Sequence, residues 1–252
     1  MNRIKRSGLY ALSMFDGCLI KVSKGNVQWA CCHGPKQKAY LQWKVDLLNS
    51  LLGGKKPVIR EYKTKSGYVN CIAKKSDAYF NQMRRDIYPN GKRRFSRKTL
   101  DRLDERGLAI WLMDDGSVKP SINEKGWISS IRTTLSTCCS EEEAIIIKKY
   151  LDEVWDIKCR FSFDKKSSDG NQYSIVLNTT NSKLFGSLVY KFVPECMYYK
   201  IKFYSDMKSH ECQPSLGNCP RCRKIMRSRV KGVCKFCYAK AYGKSYYLKN
   251  KE

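Results

Sequence analysis

The chain has 252 residues, 42% of them hydrophobic, with 49 Lys and Arg against 23 Asp and Glu, a formal net charge of +26. That length supports one large core or two modest ones. So much positive charge repels itself unless a polyanion is the partner, which points to nucleic acid and leaves a basic protein kept soluble by its charge as the plainer alternative. No run of eighteen apolar residues is present, and MNRIKRSGLYALSMFDG meets Asp16 too soon for a secretion signal. Thirteen cysteines is an odd number, with adjacent pairs at Cys31-Cys32 and Cys138-Cys139 on expected strands, where neighbours point to opposite faces. The expectation is a protein that is not secreted, has no membrane partner and works in an intracellular, reducing compartment.

In chain order, a short helix over 9–16 precedes the strands CLIKV and NVQWACCH, joined by a turn at Lys24-Gly25-Asn26. QKAYLQWKVDLLNSLLGG sets Tyr40, Trp43, Lys44, Leu47, Leu48 and Leu51 at helical spacing and ends at Gly53-Gly54. PVIREYKT and GYVNCIAK form a second hairpin, and Ser76 is placed to cap the amphipathic SDAYFNQMRRDIY. The same order restarts at Leu108 with a helix, strands near Val118 and at GWISSIRTTL, and a helix SEEEAIIIKKYLDEVW opened by a capping box of Ser140 with Glu143. Strands IKCRFSF and NQYSIVLNTT and a closing helix NSKLFGSLVYKF complete it.

This repetition predicts an α+β fold of duplicated αββαββα units, over 1–100 and 101–208. A pseudo-twofold would arrange them as a saddle with antiparallel, DNA-facing sheets. Each sheet has one apolar face for its helices and another bearing Lys21, Gln28, Arg60, Lys63, Asn70, Arg132, Lys158, Arg160 and Gln172. These side-chain types reach base edges in the major groove, where a good bidentate pair gives roughly 1–3 kcal/mol of discrimination. Half of any exposed sheet face is polar for solubility alone, so each of these residues has a plainer reading.

The stretch LAIWLMDDGSV ends an apolar helix in two carboxylates and a glycine. If the pseudo-twofold holds, Asp16 and Asp115 end the first helix of each unit and meet, with Ala11, Ser13 and Ala109 small enough for close helix approach. Phosphodiester cleavage needs a divalent metal among nucleophile, phosphate and leaving oxygen, and hard cations need carboxylate oxygens. One Asp-Gly after a helix is commonly just a turn. Two at matching places in a basic chain argue for Mg2+-dependent hydrolysis of DNA.

LYALSMFDG (9–17) and LAIWLMDDG (108–116) resemble two copies of the LAGLIDADG motif of homing endonucleases, the second well matched and the first keeping little beyond its Asp-Gly end. The resemblance implies a monomeric, single-chain, intron-encoded enzyme that cuts both strands of double-stranded DNA at a long, weakly palindromic site, leaving short 3′ overhangs. The acid before the last glycine of each motif binds metal in that family, which carries over to Asp16 and Asp115. Asp114 falls where the family has a small or variable residue, and is a candidate neighbour of the metal site. VPECMYYKIKFY is similar to the family's proline turn and Met-Tyr-Lys stretch, making Lys200 the lysine beside the active site. Lys92 in YPNGKRRF is then its counterpart before the second motif, with phosphate contact as the alternative role. Two other functions stand beside this one: an RNA maturase that helps a group I intron RNA to fold, and a non-catalytic, zinc-dependent DNA-binding protein.

From Glu195 onward the chain carries 14 Lys and Arg against four Asp and Glu. After a linker over 209–218, Cys219-x2-Cys222 and Cys234-x2-Cys237 have the spacing of a four-thiolate Zn2+ site, which predicts a small zinc finger over 219–252. So short a segment has too little apolar surface to fold without metal. Arg221, Arg223, Lys224, Arg227, Arg229 and Lys231 would line it and contact phosphate. A redox role is disfavoured by the presence of two CxxC pairs, and His210 and Cys212 match no common zinc spacing.

Overall fold

A computed structural model of the chain describes residues 3–22, 25–64, 67–125, 127–167 and 170–205, together with two short strands at 229–230 and 233–234. The first half runs α1 (Arg3–Met14), β1 (Gly17–Lys21), β2 (Val27–His33), α2 (Lys38–Leu52), β3 (Arg60–Lys63), β4 (Val69–Ser76), α3 (Tyr79–Ile87) and α4 (Arg97–Leu100). The second half runs α5 (Glu105–Asp115), β5 (Gly116–Ile122), β6 (Ile128–Cys139), α6 (Glu141–Trp155), β7 (Cys159–Ser167), β8 (Gly170–Leu177), α7 (Thr179–Val189) and α8 (Lys202–Ser205). A minimal ladder, β9 (Arg229–Val230) with β10 (Val233–Cys234), lies in the tail.

The fold is α+β with two four-stranded antiparallel sheets of the same order, β1-β2-β4-β3 and β5-β6-β8-β7. Antiparallel pairs place directly opposed residues on one face. Trp29, Cys31 and Cys71 therefore turn inward in the first sheet, and Leu135, Ile175 and Leu177 in the second, onto a core that spans both halves. The adjacent cysteines divide as alternation requires, Cys31 and Cys139 buried, Cys32 and Cys138 exposed. Cys138, with φ 45°, sits in an irregularity of the β6–β8 pairing.

The helices α1 and α5 pack against one another at the centre. Leu9, Ala11, Leu12 and Ser13 on α1, and every residue from Leu108 to Leu112 on α5, have no exposed surface, as expected of a helix that is apolar on all sides. Helix α1 starts earlier than its apolar pattern suggests, because its first turns are fixed by contact. Ser7 Oγ accepts from the Asp104 amide at 2.8 Å and donates to Asp104 Oδ1 at 2.5 Å, while Asp104 caps α5 by accepting from the Gly107 amide at 3.1 Å. The capping box of Ser140 with Glu143 is formed as the sequence predicts. Ser76 does not cap α3: it ends β4, and Asp77 Oδ1 takes the Tyr79 amide at 2.9 Å, because strand pairing with Gln28 claims Ser76 first.

Candidate active site

Helices α1 and α5 end at the centre of the molecule, and each passes through a glycine directly into the edge strand of its sheet. A Cβ on Gly17 would lie 1.8 Å from the Leu12 carbonyl oxygen, and one on Gly116 would lie 2.5 Å from that of Leu112. The absence of a side chain is what lets the backbone fold back this tightly on the helix end. Trp29 Nε1 donates to the same Leu12 carbonyl at 2.8 Å, fixing the first turn against β2.

This geometry brings Asp115 near enough to Asp16 to feel its charge. Asp16 is partly open, its side chain 34% exposed, and its carboxyl is pushed up to about 6 by burial and by the charge of Asp114, with Lys44 acting in the opposite sense. Asp115 is pushed up to about 7 by burial, then by the charges of Asp16 and Asp114. Carboxyls raised in this way are buried among other acids whose repulsion the nearby cations do not fully offset. Two carboxylates at the open end of such a cluster fit a hard divalent cation, whose charge would favour the ionised form of both.

Asp114 takes a different part. Its side chain is completely covered. Oδ1 accepts from Lys44 Nζ and from the Tyr40 hydroxyl, each at 2.6 Å, and Oδ2 accepts the Asp16 amide at 3.1 Å. A residue of the second motif thus holds the end of the first. At the matching place in the first motif, Phe15 carries no charge and stacks on Trp111 at 5.1 Å between centroids, with Phe95 on the same indole at 5.9 Å. Lys44 comes from α2, and its buried ammonium also meets His33 Nε2 at 3.1 Å. Burial and the Lys44 charge lower the His33 pKa to about 4, so its ring is neutral. Asp114, Cys31 and Asp16 together outweigh the burial of Lys44 and hold it protonated.

Lys200 closes the C-terminal end of α5. Its Nζ donates to the carbonyls of Met113 at 2.6 Å and Gly116 at 2.9 Å, with Leu112 and Asp114 at 3.4 and 3.5 Å. A cation there answers the partial negative charge of the helix end and sits beside Asp115. Burial lowers its pKa. In the first half the matching position is held by Arg93, whose Nη1 donates to Met14 O at 3.0 Å and Phe15 O at 2.7 Å. Lys92, the residue expected at this place, stands one position earlier in the chain. The cluster Lys92-Arg93-Arg94 offered three adjacent cations, and only the backbone direction decides which meets α1.

Strand register sorts the residues expected to face DNA. Gln28, Arg60 and Asn70 share the open face of the first sheet with Tyr62 and Lys74, since Gln28 pairs with Ser76, Arg60 with Ile72 and Tyr62 with Asn70. Lys21 and Lys63 fall on the other face, opposite Val27 and Val69, which corrects the reading of both. In the second sheet Arg132, Arg160 and Gln172 lie on the open face with Lys119 and Lys165, and Lys158 is exposed just before β7. Each open face has a depression, about 710 Å³ beside Gln28, Arg60 and Lys74 and about 500 Å³ beside Arg132, Lys158 and Arg160. Lys44, His33, Tyr40, Arg93, Lys74, Lys119 and Lys165 were not anticipated from sequence. Of the tail residues, Cys219, Cys222, Cys237, Arg221, Arg223, Lys224, Arg227 and Lys231 lie outside the described residues, while Arg229 is in β9 and Cys234 ends β10.

The chain is similar to several known proteins. The chain is 28% identical over 199 residues to Protein RecA of Mycobacterium gastri, a match covering 75% of this chain and 44% of that protein. It is 25% identical over 174 residues to Protein RecA of Mycobacterium leprae, covering 67% and 23%. The chain therefore spans less than half the length of the curated relatives it matches. Its fold superposes on the homing endonuclease I-WcaI bound to its DNA recognition sequence with a TM-score of 0.64 and 21% identity, covering 79% of this chain and 86% of the other. The family model described as the LAGLIDADG DNA endonuclease family matches residues 13–185, from the last turn of α1 through both sheets into α7. By its two helix-end acids, its paired sheets and that match, the chain belongs to the LAGLIDADG DNA endonuclease family.

Proposed function

We propose that the chain is a monomeric, site-specific endonuclease that hydrolyses both strands of DNA, with Asp16 and Asp115 holding Mg2+ at the scissile phosphates. The observation that carries this reading is the packing of the two motif helices α1 and α5 against one another, each followed or ended by an acid whose carboxyl is raised by burial and by neighbouring acids. Bound there, Mg2+ supplies the positive charge that hydrolysis needs at the attacking and leaving oxygens. Asp16 and Asp115 provide its carboxylate ligands, Lys200 and Arg93 fix the helix ends that aim them, and the phosphates approach from the open faces. Gln28, Arg60, Asn70, Arg132, Arg160 and Gln172 read base edges or hold phosphates from the two sheets, with Lys158 beside them. One chain supplies both halves, so no second copy is needed.

The reading extends to the tail. Cys219, Cys222, Cys234 and Cys237 bind one structural Zn2+, and the basic residues around them lengthen the contact with DNA; the support is the ligand spacing and the β9–β10 ladder ending at Cys234. Eight described cysteines are free, which fits a reducing compartment. By its family resemblance the gene is mobile, borne by an intron or free-standing. The test is incubation of purified protein and Mg2+ with DNA spanning the intron-less insertion locus of its gene, followed by strand-resolved mapping of the ends. Staggered cuts with short 3′ overhangs are expected. Tight binding without a nick in either strand overturns the reading, and metal analysis showing no zinc overturns its extension.

A further inference from the structure

The two halves of the site are not equivalent, and the difference is a cation supplied by the chain itself. Among the described residues, Asp16, His33 and Asp114 have ligand atoms within 4.8 Å of one another, a constellation suited to a metal ion. Its centre is taken by the Lys44 ammonium, at 2.6 Å from Asp114 Oδ1, 3.1 Å from His33 Nε2 and 3.8 Å from Asp16 Oδ2. An ammonium has three N–H donors. They are taken up by Asp114, by His33 and by Cys31 Sγ at 3.7 Å, with the Tyr40 ring 4.5 Å away on another side. Asp16 consequently feels the positive charge across 3.8 Å, without a direct hydrogen bond from the ammonium. In the other half the residue matching Asp114 is Phe15, stacked on Trp111, and the cations that act on Asp115 from nearby, Arg93 and Lys200, are bonded to main-chain carbonyls of the helix ends rather than lodged among side-chain ligands.

We propose that Lys44 is a resident cation of the Asp16 half-site, a positioning residue that occupies the place of a metal ion, keeps metal out of the Asp16–His33–Asp114 cluster and orients Asp16 for cleavage of one strand only. The inference rests on the endonuclease reading given above. It is tested with Lys44→Met and with the charge-balanced pair Lys44→Met/Asp114→Asn, whose Asn keeps its carbonyl oxygen as acceptor for the Asp16 amide and turns its NH2 to the Tyr40 hydroxyl oxygen. The strand served by Asp16 is defined as the one that Asp16→Asn leaves uncut. In single-turnover assays the double variant is expected to cut that strand at least about tenfold more slowly and the other within about threefold of wild type, so that nicked DNA accumulates. In titrations of DNA-free protein, with free Mn2+ counted by electron paramagnetic resonance, Lys44→Met should take up one more ion than wild type, and the double variant should not. Equal cutting of both strands by the double variant, whether at wild-type rates or equally slowed, means that Lys44 only neutralises a buried acid, and overturns the proposal. Equal Mn2+ uptake by Lys44→Met and wild type also overturns it. If the wild-type protein cuts neither strand, the endonuclease reading itself has failed, while the Mn2+ count still decides whether Lys44 fills a cation site.

Discussion

Lowering the pH from 8 to 6 should weaken divalent metal binding at Asp16 and Asp115 by about 20-fold, a figure that follows from their surroundings. Metal binds the carboxylate form, so protons compete with it. With Asp115 titrating near 7 and Asp16 near 6, about one Asp115 in eleven and about half of Asp16 are ionised at pH 6, against nearly all of both at pH 8. Unperturbed carboxyls near 4 would give almost no change across this range. The assay is calorimetric titration of Ca2+ into DNA-free protein at the two pH values, with Asp115→Asn as control. The sign for stability runs the opposite way from the usual acid. A carboxyl whose pKa is raised by folding favours the folded state at low pH, and that contribution is lost as pH rises through about 6 for Asp16 and about 7 for Asp115. Ca2+ should therefore raise the melting temperature more at pH 8 than at pH 6. An affinity that changes less than about threefold between the two pH values, or a pH dependence unaltered in Asp115→Asn, would refute the reasoning.

Asp115→Asn should abolish cleavage of its strand yet leave target binding in Ca2+ intact, measured by gel shift alongside strand-resolved digestion. Asp114→Asn leaves the covered Lys44 ammonium without its charge partner and should cost about 3–5 kcal/mol in denaturant unfolding, whereas pairing it with Lys44→Met should recover most of that loss. Gly17→Ala puts a methyl group 1.8 Å from the Leu12 carbonyl and should destabilise by about 3 kcal/mol or more, seen as a lower melting temperature. Arg132→Ala and Arg160→Ala, on the open face of the second sheet, should each lower the slope of log affinity against log salt by about one if they contact phosphate, and leave thermal stability unchanged.

The order of elements was legible because it rests on local signals: apolar runs, glycine stops and the Ser140–Glu143 box each act within a few residues. The assignment of sheet faces was partly lost. Alternation along a strand says which residues go together, but only pairing says which set turns to the helices, and a one-residue shift exchanges the faces. Gln28 and Arg160 came out on the open side, while Lys21 and Lys63, at the ends of short edge strands with too few apolar residues to set the phase, did not. Ser76 lost its cap to strand pairing for a related reason, since a ladder hydrogen bond made elsewhere in the chain outcompetes a local one. The acids of the two motifs could be located because Asp-Gly ends an apolar helix twice. Arg93 and Lys44 could not, because they reach the site from the connection between α3 and α4 and from α2, and no local pattern names the groups that such side chains meet.

One signal for Lys44 did stand in the sequence. It lies at helical spacing with Tyr40, Val45 and Leu48, in the stripe that α2 buries, where a lysine is anomalous unless a carboxylate awaits it. A buried ion pair is a poor device for stability, since desolvation consumes most of the Coulombic gain and a well-packed apolar pair does as well or better. What the pair does provide is placement. Asp114 can accept the Asp16 amide through one oxygen only because its other oxygen is fixed by Lys44 and Tyr40, so the ion pair sets the register of one motif's end against the other. An apolar residue at 114, as at Phe15, would pack the seam and leave the Asp16 amide without this carboxylate acceptor. The charge that reads as a surplus acid in MDDG is thus the part that ties the acid of the first motif to the second helix, and Lys44 is what allows Asp114 to be buried there.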